Sequence, residues 1–403
     1  MRDLFRKRRM WRSRQELKRH YDVVIIGGGS HGLATAYYLR ERGITDVAIL
    51  EKGYIGSGAA GRNTTIIRSN YKTPEGARFY DASVKLYEGL AEDLNFNLLF
   101  SQCGHLTLAH TDRALFVMAN RAEVNRLNGI DSRLIGPEEI KQLAPAMHVG
   151  EDATYPILGA LYHPPGGIIR HDAVVWGFAR GADQGGAEIH QYTEVTGLER
   201  IGDRIARVHT NRGSISAGTV LNCTAGWSTL TSDMAGVKLP ITTHILQACV
   251  TEPVKPFLDV VIVSSQMHVY LSQSDRGEFV MGSEIEPWTT YRTRNTLNFL
   301  QELARHTLEL FPQLEHARLL RSWAGLCDLS PDYSPILGRT EVENFHISAG
   351  WGTYGFKAAP IVGKTLAELV ATGRTPDLIA PFELERFYTD RLVSELAAAA
   401  VSH

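Results

Sequence analysis

A strand, a glycine-rich turn, a helix and a second strand follow one another near the start of this chain, and no other feature constrains its fold as much. Tyr21-Asp22-Val23-Val24-Ile25-Ile26 is a short apolar run rich in β-branched residues, the pattern of a strand covered on both faces. Gly27-Gly28-Gly29-Ser30-His31-Gly32 comes next and satisfies G-x-G-x-x-G through Gly27, Gly29 and Gly32. Leu33 to Arg42 reads as a helix closed by Gly43, and Val47-Ala48-Ile49-Leu50 as a second strand ending in Glu51. The three glycines serve different ends. Gly27 permits a tight turn, Gly29 lets the backbone approach a pyrophosphate, and Gly32 lets the helix pack on the strand. Ser30 and His31 stand at the helix N-terminus, where free N–H groups and the helix dipole favour an anion. His31 reads either as a donor to that anion or as a side chain facing solvent. Glu51, nineteen residues after Gly32, is placed to bind ribose hydroxyls. The unit is a dinucleotide site.

Composition narrows what surrounds it. A chain of 403 residues suggests two or three folded units at roughly 150 residues each. Apolar residues at 44% and charged residues at 21% exclude disordered, collagenous and disulfide-scaffold classes. Lys plus Arg is 42 against 44 Asp plus Glu, a net charge of −2, so no nucleic-acid partner is expected. No apolar run approaches the ~18–20 residues of a membrane span. Cys103, Cys223, Cys249 and Cys327 are scattered without a C-x-x-C pair, which fits a reducing compartment, here the cytoplasm, and argues against zinc. No Cys-His or Ser-His-Asp constellation stands out, and no metal is expected. Residues 1–20 hold nine basic side chains, Arg2, Arg6, Lys7, Arg8, Arg9, Arg12, Arg14, Lys18 and Arg19, with no apolar stretch behind them to make a secretory signal. That segment reads as a solvated arm, as an Arg-rich presequence, or as an arm laid on an acidic partner subunit with Trp11 as its apolar anchor.

The next segments decide which dinucleotide. A nicotinamide enzyme continues into further βα units, whereas here the second strand runs into Lys52-Gly53-Tyr54-Ile55-Gly56-Ser57-Gly58-Ala59-Ala60-Gly61-Arg62-Asn63-Thr64-Thr65. Such a loop can lie against a cofactor's phosphates and ring through backbone and hydroxyl donors. Ile66-Ile67 directly after it argue for a buried continuation and against an exposed Gly/Ser linker. Far downstream, the apolar run Phe345 to Ala349 leads to a second turn, Gly350-Trp351-Gly352-Thr353-Tyr354-Gly355, and then to a helix-like stretch from Ala358 to Ala371. A helix N-terminus aimed at an isoalloxazine ring stabilises the anionic reduced flavin. Two helix starts roughly 320 residues apart, one for diphosphate and one for ring, fit FAD lying extended across the sheet.

The rest organises around that site. Ala187–Thr196 and Arg204–Ala225 read as strands with an Asn211-Arg212-Gly213 turn, and they lead into Ala225-Gly226-Trp227-Ser228, a small-residue turn of the cofactor-contacting kind. His268 to Ser272 and Glu278 to Met281 flank a hairpin. Leu297, Leu300, Ala304, Leu308 and Phe311 form a helical stripe stopped by Pro312, and are assigned to the core. The expected fold class is α/β. A Rossmann-like FAD-binding domain over 21–98, 158–233 and 324–385 is interleaved with an α+β substrate domain over 99–157 and 234–323 carrying an antiparallel sheet. A basic arm (1–20) and a tail (386–403) flank them. Taken alone, Arg68 is an ordinary solvated or ion-paired arginine, and His171 a helix-start histidine ahead of a helix over Ala173–Ala182. Lys357 is less ordinary, because a cation at a helix N-terminus is electrostatically unfavourable and so has some other role.

Tyr21 to Gly32, the loop through Arg68, and Gly350 to Pro360 together resemble the D-amino-acid-oxidase-like amine oxidases. The most specific pieces are Arg62-Asn63-Thr64-Thr65-Ile66-Ile67-Arg68-Ser69-Asn70-Tyr71, Arg170-His171-Asp172-Ala173-Val174-Val175-Trp176, and Gly350-Trp351-Gly352 with Gly355-Phe356-Lys357. The likeness covers nearly all of the chain after residue 20. Within the family it is strongest to the beta subunits of heterotetrameric sarcosine oxidases.

The resemblance implies a chain holding noncovalent FAD and one FMN joined covalently to His171 at the junction with an alpha subunit. It implies that FAD oxidises the N-methyl group of sarcosine (N-methylglycine), that electrons pass to FMN, and that oxygen leaves as hydrogen peroxide. The one-carbon unit then leaves as formaldehyde, or as methylene-tetrahydrofolate through a partner. Alpha, gamma and delta subunits are the implied partners, with tetrahydrofolate and NAD bound by them if at all. Arg68 and Lys357 match the pair gripping the substrate carboxylate, and Val195 the backbone contact to adenine. Single-chain relatives bond their flavin to a cysteine. The matching position here is Gly325, which fits noncovalent FAD, with Cys327 two residues on as the other linkage site to consider. Those relatives also carry an arginine where Thr65 stands, and reoxidation through a second flavin removes the need for it. Two other readings stay open: a dehydrogenase subunit for another N-alkyl amino acid such as N-methylglutamate, with a different electron acceptor, and a non-catalytic flavoprotein scaffold.

Overall fold

The computed structural model describes residues 10–12, 16–150 and 152–395. Its first sheet is laid down by the strand His20–Ile26, whose side chains alternate between two cores. Val23 and Ile25 belong to one apolar cluster, and Val24 and Ile26 to another on the opposite face, a cluster that Tyr21 at the strand's start also joins. Burial on both faces is why the run reads as continuously apolar. Val47–Glu51 and Gly213–Asn222 pair parallel to it on either side, so that Ile25 faces both Ile49 and Leu221. The sheet runs Ile336–Arg339, Phe345–Ala349, Gly213–Asn222, His20–Ile26, Val47–Glu51, Glu188–Gln191, with Val195–Ile201 and Arg204–Thr210 extending antiparallel from Gly213–Asn222.

Helices Ser30–Glu41, His171–Gln184 and Ala359–Thr372 gather on this sheet. The first and last approach so closely that a Cβ on Gly363 would stand 2.6 Å from the carbonyl carbon of Ala34. Glycine is what lets the two helices that follow the two glycine turns touch.

A second sheet runs Leu319–Leu329, Thr242–Thr251, Phe279–Ile285, Val269–Gln273, Val261–Ser264, His105–Ala109, Gly159–His163, Arg133–Ile135, antiparallel except between Val261–Ser264 and His105–Ala109. The expected hairpin is there as Val269–Gln273 against Phe279–Ile285. Gly159–His163, expected with the first unit, hydrogen-bonds in this second sheet, and the boundary expected at 323/324 falls inside the strand Leu319–Leu329.

Other expectations shift. Helix Leu297–Leu310 buries Phe299, Leu303, His306, Thr307 and Leu310, while Leu297 is 70% exposed. Of the stripe expected over Leu297, Leu300, Ala304, Leu308 and Phe311, Phe311 is buried and Leu300 packs against the core, while Leu297, Ala304 and Leu308 are exposed, because the buried face includes two polar residues that hide it. Of the basic arm, residues 1–9 and 13–15 lie outside the described residues. Trp11 packs against its own chain's core, and Arg12 pairs with Asp183 at 3.1 Å. The expected tail is folded as far as 395: Arg386 makes a buried two-pronged ion pair with Asp332 at 2.8 and 2.9 Å, and Glu395 is 1% exposed. Residues 396–403 lie outside the described residues. Among those described, no helix is long and apolar enough to cross a membrane.

Candidate functional site

The carboxyl ends of the first sheet's central strands open into a cleft of about 580 Å³ that is closed from the other side by the second sheet, through Leu246, Ala248 and Leu326. The first glycine turn forms one wall. Gly27 has φ +112°, and a Cβ there would lie 2.4 Å from the Cys223 carbonyl oxygen; a Cβ on Gly32 would lie 2.1 Å from the Gly27 carbonyl oxygen. A Cβ on Gly29 would meet nothing within 4 Å. So Gly27 and Gly32 are required by the protein's own packing, whereas Gly29 borders open space beside the helix start, with room for a ligand. That is the fit expected of a pyrophosphate on free backbone N–H groups.

Glu51 stands at the end of its strand, and its two carboxylate oxygens accept from Gly28 N–H at 2.8 Å and Gly53 N–H at 2.7 Å. The adjacent loop is held from within. Arg62 donates to the carbonyls of Ser57 and Gly58, while Asn63 bonds Ala60 and accepts from Thr65 N–H at 2.7 Å. Thr65 has φ +62°, an uncommon backbone state for a β-branched residue and one that concentrates at functional sites. Lys52 lies over the Trp227 ring at 3.6 Å.

His31 takes neither of its expected roles. Its Nε2–H donates to the Gly355 carbonyl at 2.7 Å, its Nδ1 accepts from the Ser348 hydroxyl at 3.0 Å, and its ring meets Trp351 edge-on. It ties the first glycine turn to the second, and burial lowers it to about 4, so it stays neutral. Asp328 braces the second turn by accepting from Gly350 N–H at 2.6 Å, and burial raises its carboxyl to about 6.

Beside that second turn, cations converge. Arg68 donates from Nη1 to Asn70 Oδ1 at 3.0 Å and to the Asn70 carbonyl at 3.3 Å, and its guanidinium stacks over Tyr71. Arg121 donates from Nε to that same carbonyl at 2.5 Å, and its buried Nη2 has no hydrogen-bond partner among the described residues. Lys357 is 7% exposed and donates to the Thr353 carbonyl at 3.2 Å. Burial, reinforced by the Arg68 charge, pulls Lys357 well below the usual lysine range, and the same two causes bring Arg121 to about 9. Charges held this close and this dry are unfavourable unless an anion joins them. The arrangement can bind and fix a carboxylate.

Of the residues singled out from the sequence, Gly27, Gly29, Ser30, His31, Glu51, Lys52, Arg62, Asn63, Thr64, Arg68, Val195, Ala225, Trp227, Gly352, Gly355 and Lys357 all line this cleft. Gly32 and Gly226 stand behind it; a Cβ on Gly226 would lie 2.4 Å from the Leu326 Cβ. His171 is not among the lining residues. It opens the helix His171–Gln184 with Arg170 as its cap, half-buried, with burial lowering its imidazole pKa. Gly325 and Cys327 both line the cleft, and burial pushes the Cys327 thiol up, away from the reactive thiolate.

Sequence reasoning missed Arg121, His105 and Asp328. For Arg121 a signal existed: Met118, Arg121, Ala122 and Asn125 share the buried face of helix Asp112–Leu127, and an arginine at i, i+3, i+4, i+7 spacing on an inward face needs a reason to be there.

A parallel sheet with its first glycine turn at one end, a second turn tied to it, and a buried cationic pocket beside them define a flavin-dependent oxidoreductase. The chain belongs to the FAD dependent oxidoreductase (DAO) family, whose model matches residues 22–369. It is 46% identical over 389 residues to sarcosine oxidase subunit beta of Arthrobacter sp, covering 96% of both chains. It is 44% identical to the protein of that name from Rhodobacter capsulatus, over 96% of this chain and 94% of the other. Among solved structures, L-proline dehydrogenase from P. horikoshii superposes with a TM-score of 0.88 at 32% identity, over 94% of this chain and all of that one. Glycine oxidase from Geobacillus kaustophilus, at 24% identity and a TM-score of 0.84 over 92% of this chain and 99% of that one, shares the fold.

Proposed function

We propose that this chain is the amine-oxidising subunit of a sarcosine oxidase complex, acting on N-methylglycine. The convergence of Arg68, Arg121 and Lys357 on the part of the cleft beside the second glycine turn carries this reading, because a small amino acid offers the carboxylate those cations lack. FAD, if bound, would supply the two-electron oxidation of the N-methyl carbon, with oxygen, reduced to hydrogen peroxide by way of FMN, as the final oxidant; water would then release glycine and formaldehyde, or tetrahydrofolate on a partner would take the carbon as methylene-tetrahydrofolate. The chain's own residues set the stage for it. Gly29 and the start of helix Ser30–Glu41 hold the diphosphate. Glu51, already fixed by two backbone N–H groups, faces the ribose, and Val195 lies at the adenine end. Arg68 and Lys357 clamp the carboxylate, with Arg121 bracing Arg68 through Asn70. Fixing that one group orients the N-methyl carbon in the closed cleft.

We assign the covalent FMN to His171. Its place outside the cleft supports a second flavin separate from the first, and the name 'subunit beta' carried by the relatives supports a multi-subunit complex, with alpha, gamma and delta chains as the partners we propose. Anaerobic mixing of the assembled complex with sarcosine is expected to bleach the FAD absorbance rapidly; bleaching only by another amine, or none, would replace this reading by a different dehydrogenase or a silent scaffold. After denaturing electrophoresis, flavin fluorescence is expected on this chain and to map to His171, with His171→Ala losing FMN while retaining FAD. Lys357→Ala is expected to weaken sarcosine binding by about 1.5–3 kcal/mol, the worth of a charge-assisted hydrogen bond, read from the flavin spectrum in a titration.

A further inference from the structure

Two histidines face each other across neighbouring strands near the cationic pocket, and their situations are opposite. His105 and His163 stand in direct register between His105–Ala109 and Gly159–His163, and both are buried. His163 is engaged at both nitrogens: Nδ1–H donates to the Asp131 carbonyl at 2.7 Å, and Nε2 accepts from Ser69 N–H at 3.2 Å. His105 is 1% exposed, yet neither of its ring nitrogens has a hydrogen-bond partner among the described residues. It lines the same cleft as Arg68, Arg121 and Lys357. Buried polar side chains are hydrogen-bonded in nearly every case, so this orphan points to a group brought by a ligand.

The charges around it say which group. Burial lowers its affinity for a proton most, and Arg68 from the loop after Ile66–Ile67, His163 from the adjoining strand, Arg121 from helix Asp112–Leu127 and Lys357 from the second turn each lower it further. His105 is therefore neutral, with one unprotonated nitrogen able to accept a hydrogen bond. The same cations disfavour an ammonium ion in the pocket, so an amino acid bound there carries its nitrogen as the neutral amine. A secondary amine that has given up its extra proton retains one N–H.

We propose that His105 accepts the N–H of the substrate's neutral secondary amine, and that this contact fixes which way the nitrogen lone pair and the N-methyl carbon face. The proposal rests on the pocket being the amino-acid site. Its proton balance is simple: a zwitterionic substrate releases one proton to solvent on binding, and the remaining N–H is donated to His105 with no transfer to the ring.

The test uses the assembled holoenzyme and two ligands: sarcosine, and methylthioacetate, in which sulfur replaces the N–H and leaves nothing to donate. His105→Phe is expected to weaken sarcosine binding about tenfold, the loss of one buried hydrogen bond, and to slow anaerobic flavin bleaching further. Methylthioacetate binding, read from the flavin spectrum, is expected to stay within about twofold of the parent. His105→Gln, which keeps an acceptor, is expected to recover most of the sarcosine affinity. Equal weakening of both ligands would overturn the proposal in favour of a carboxylate or purely structural role, as would no change in either. If the parent complex binds methylthioacetate but is not bleached by sarcosine, the substrate reading falls and takes the proposal with it, a result read without any variant.

Discussion

At the scale of single residues, the three glycines of the first turn separate by what stands around them. Gly29→Ala places a methyl in open space at an ordinary φ of −84°, so the chain should fold with unchanged stability and fail to retain FAD, because the methyl occupies the ground of the diphosphate. Gly32→Ala drives a methyl to 2.1 Å from the Gly27 carbonyl oxygen and should lower the melting temperature or prevent folding. Cofactor content and melting curves of the two proteins check this; a Gly29→Ala chain that keeps its FAD would refute the assignment. These glycines were legible in the sequence because the motif states a backbone requirement directly. His31 was not, since its partners Ser348 and Gly355 lie at the far end of the chain and no local pattern announces them. Arg68 was legible only through family resemblance and Lys357 also through its unfavourable place at a helix start; their burial, which makes them chemically unusual, is a property of the fold.

At the scale of elements, strands and helices were read well where one period dominates and poorly where polar residues share the buried face. The strand His20–Ile26 and the helix after it fall within a few residues of their expected spans. Helix Leu297–Leu310 was placed correctly but its buried face was read only in part, because His306 and Thr307 are buried alongside Phe299, Leu303 and Leu310. Leu303→Ala should therefore cost about 2–5 kcal/mol, as a cavity in a packed core does. Leu297→Ala, at a 70% exposed position, should stay within about 0.5 kcal/mol. Denaturant midpoints of the two variants check this, and similar values would mean that the face assigned here is wrong. The division into sheets was less legible for a related reason: Gly159–His163 and Leu319–Leu329 join the second sheet through partners distant in sequence, and strand pairing is not written in either segment alone.

At the scale of the whole molecule, buried neutral histidines tie stability to pH. Burial lowers His31 and His346 to about 4 and His163 to about 3, from an ordinary 6.5. The unfolded chain takes up protons on these groups first, so their contribution is complete above 6.5 and is lost as pH falls from there through about 4 and, for His163, about 3. The melting temperature should decline across that window, and a flat profile would show that these imidazoles are not held neutral. The cofactor cleft itself is a whole-molecule property, since its walls come from both sheets and both glycine turns.

The link between His31 and the Gly355 carbonyl spans 324 positions of the chain, and this sets an order of events during synthesis. The half of the site we propose to grip a diphosphate emerges from the ribosome well before the half that would close on the ring, which waits for Gly355. A nascent chain stopped anywhere short of that point has nothing to lock the coenzyme in, so loading belongs to the last moments of translation or after it.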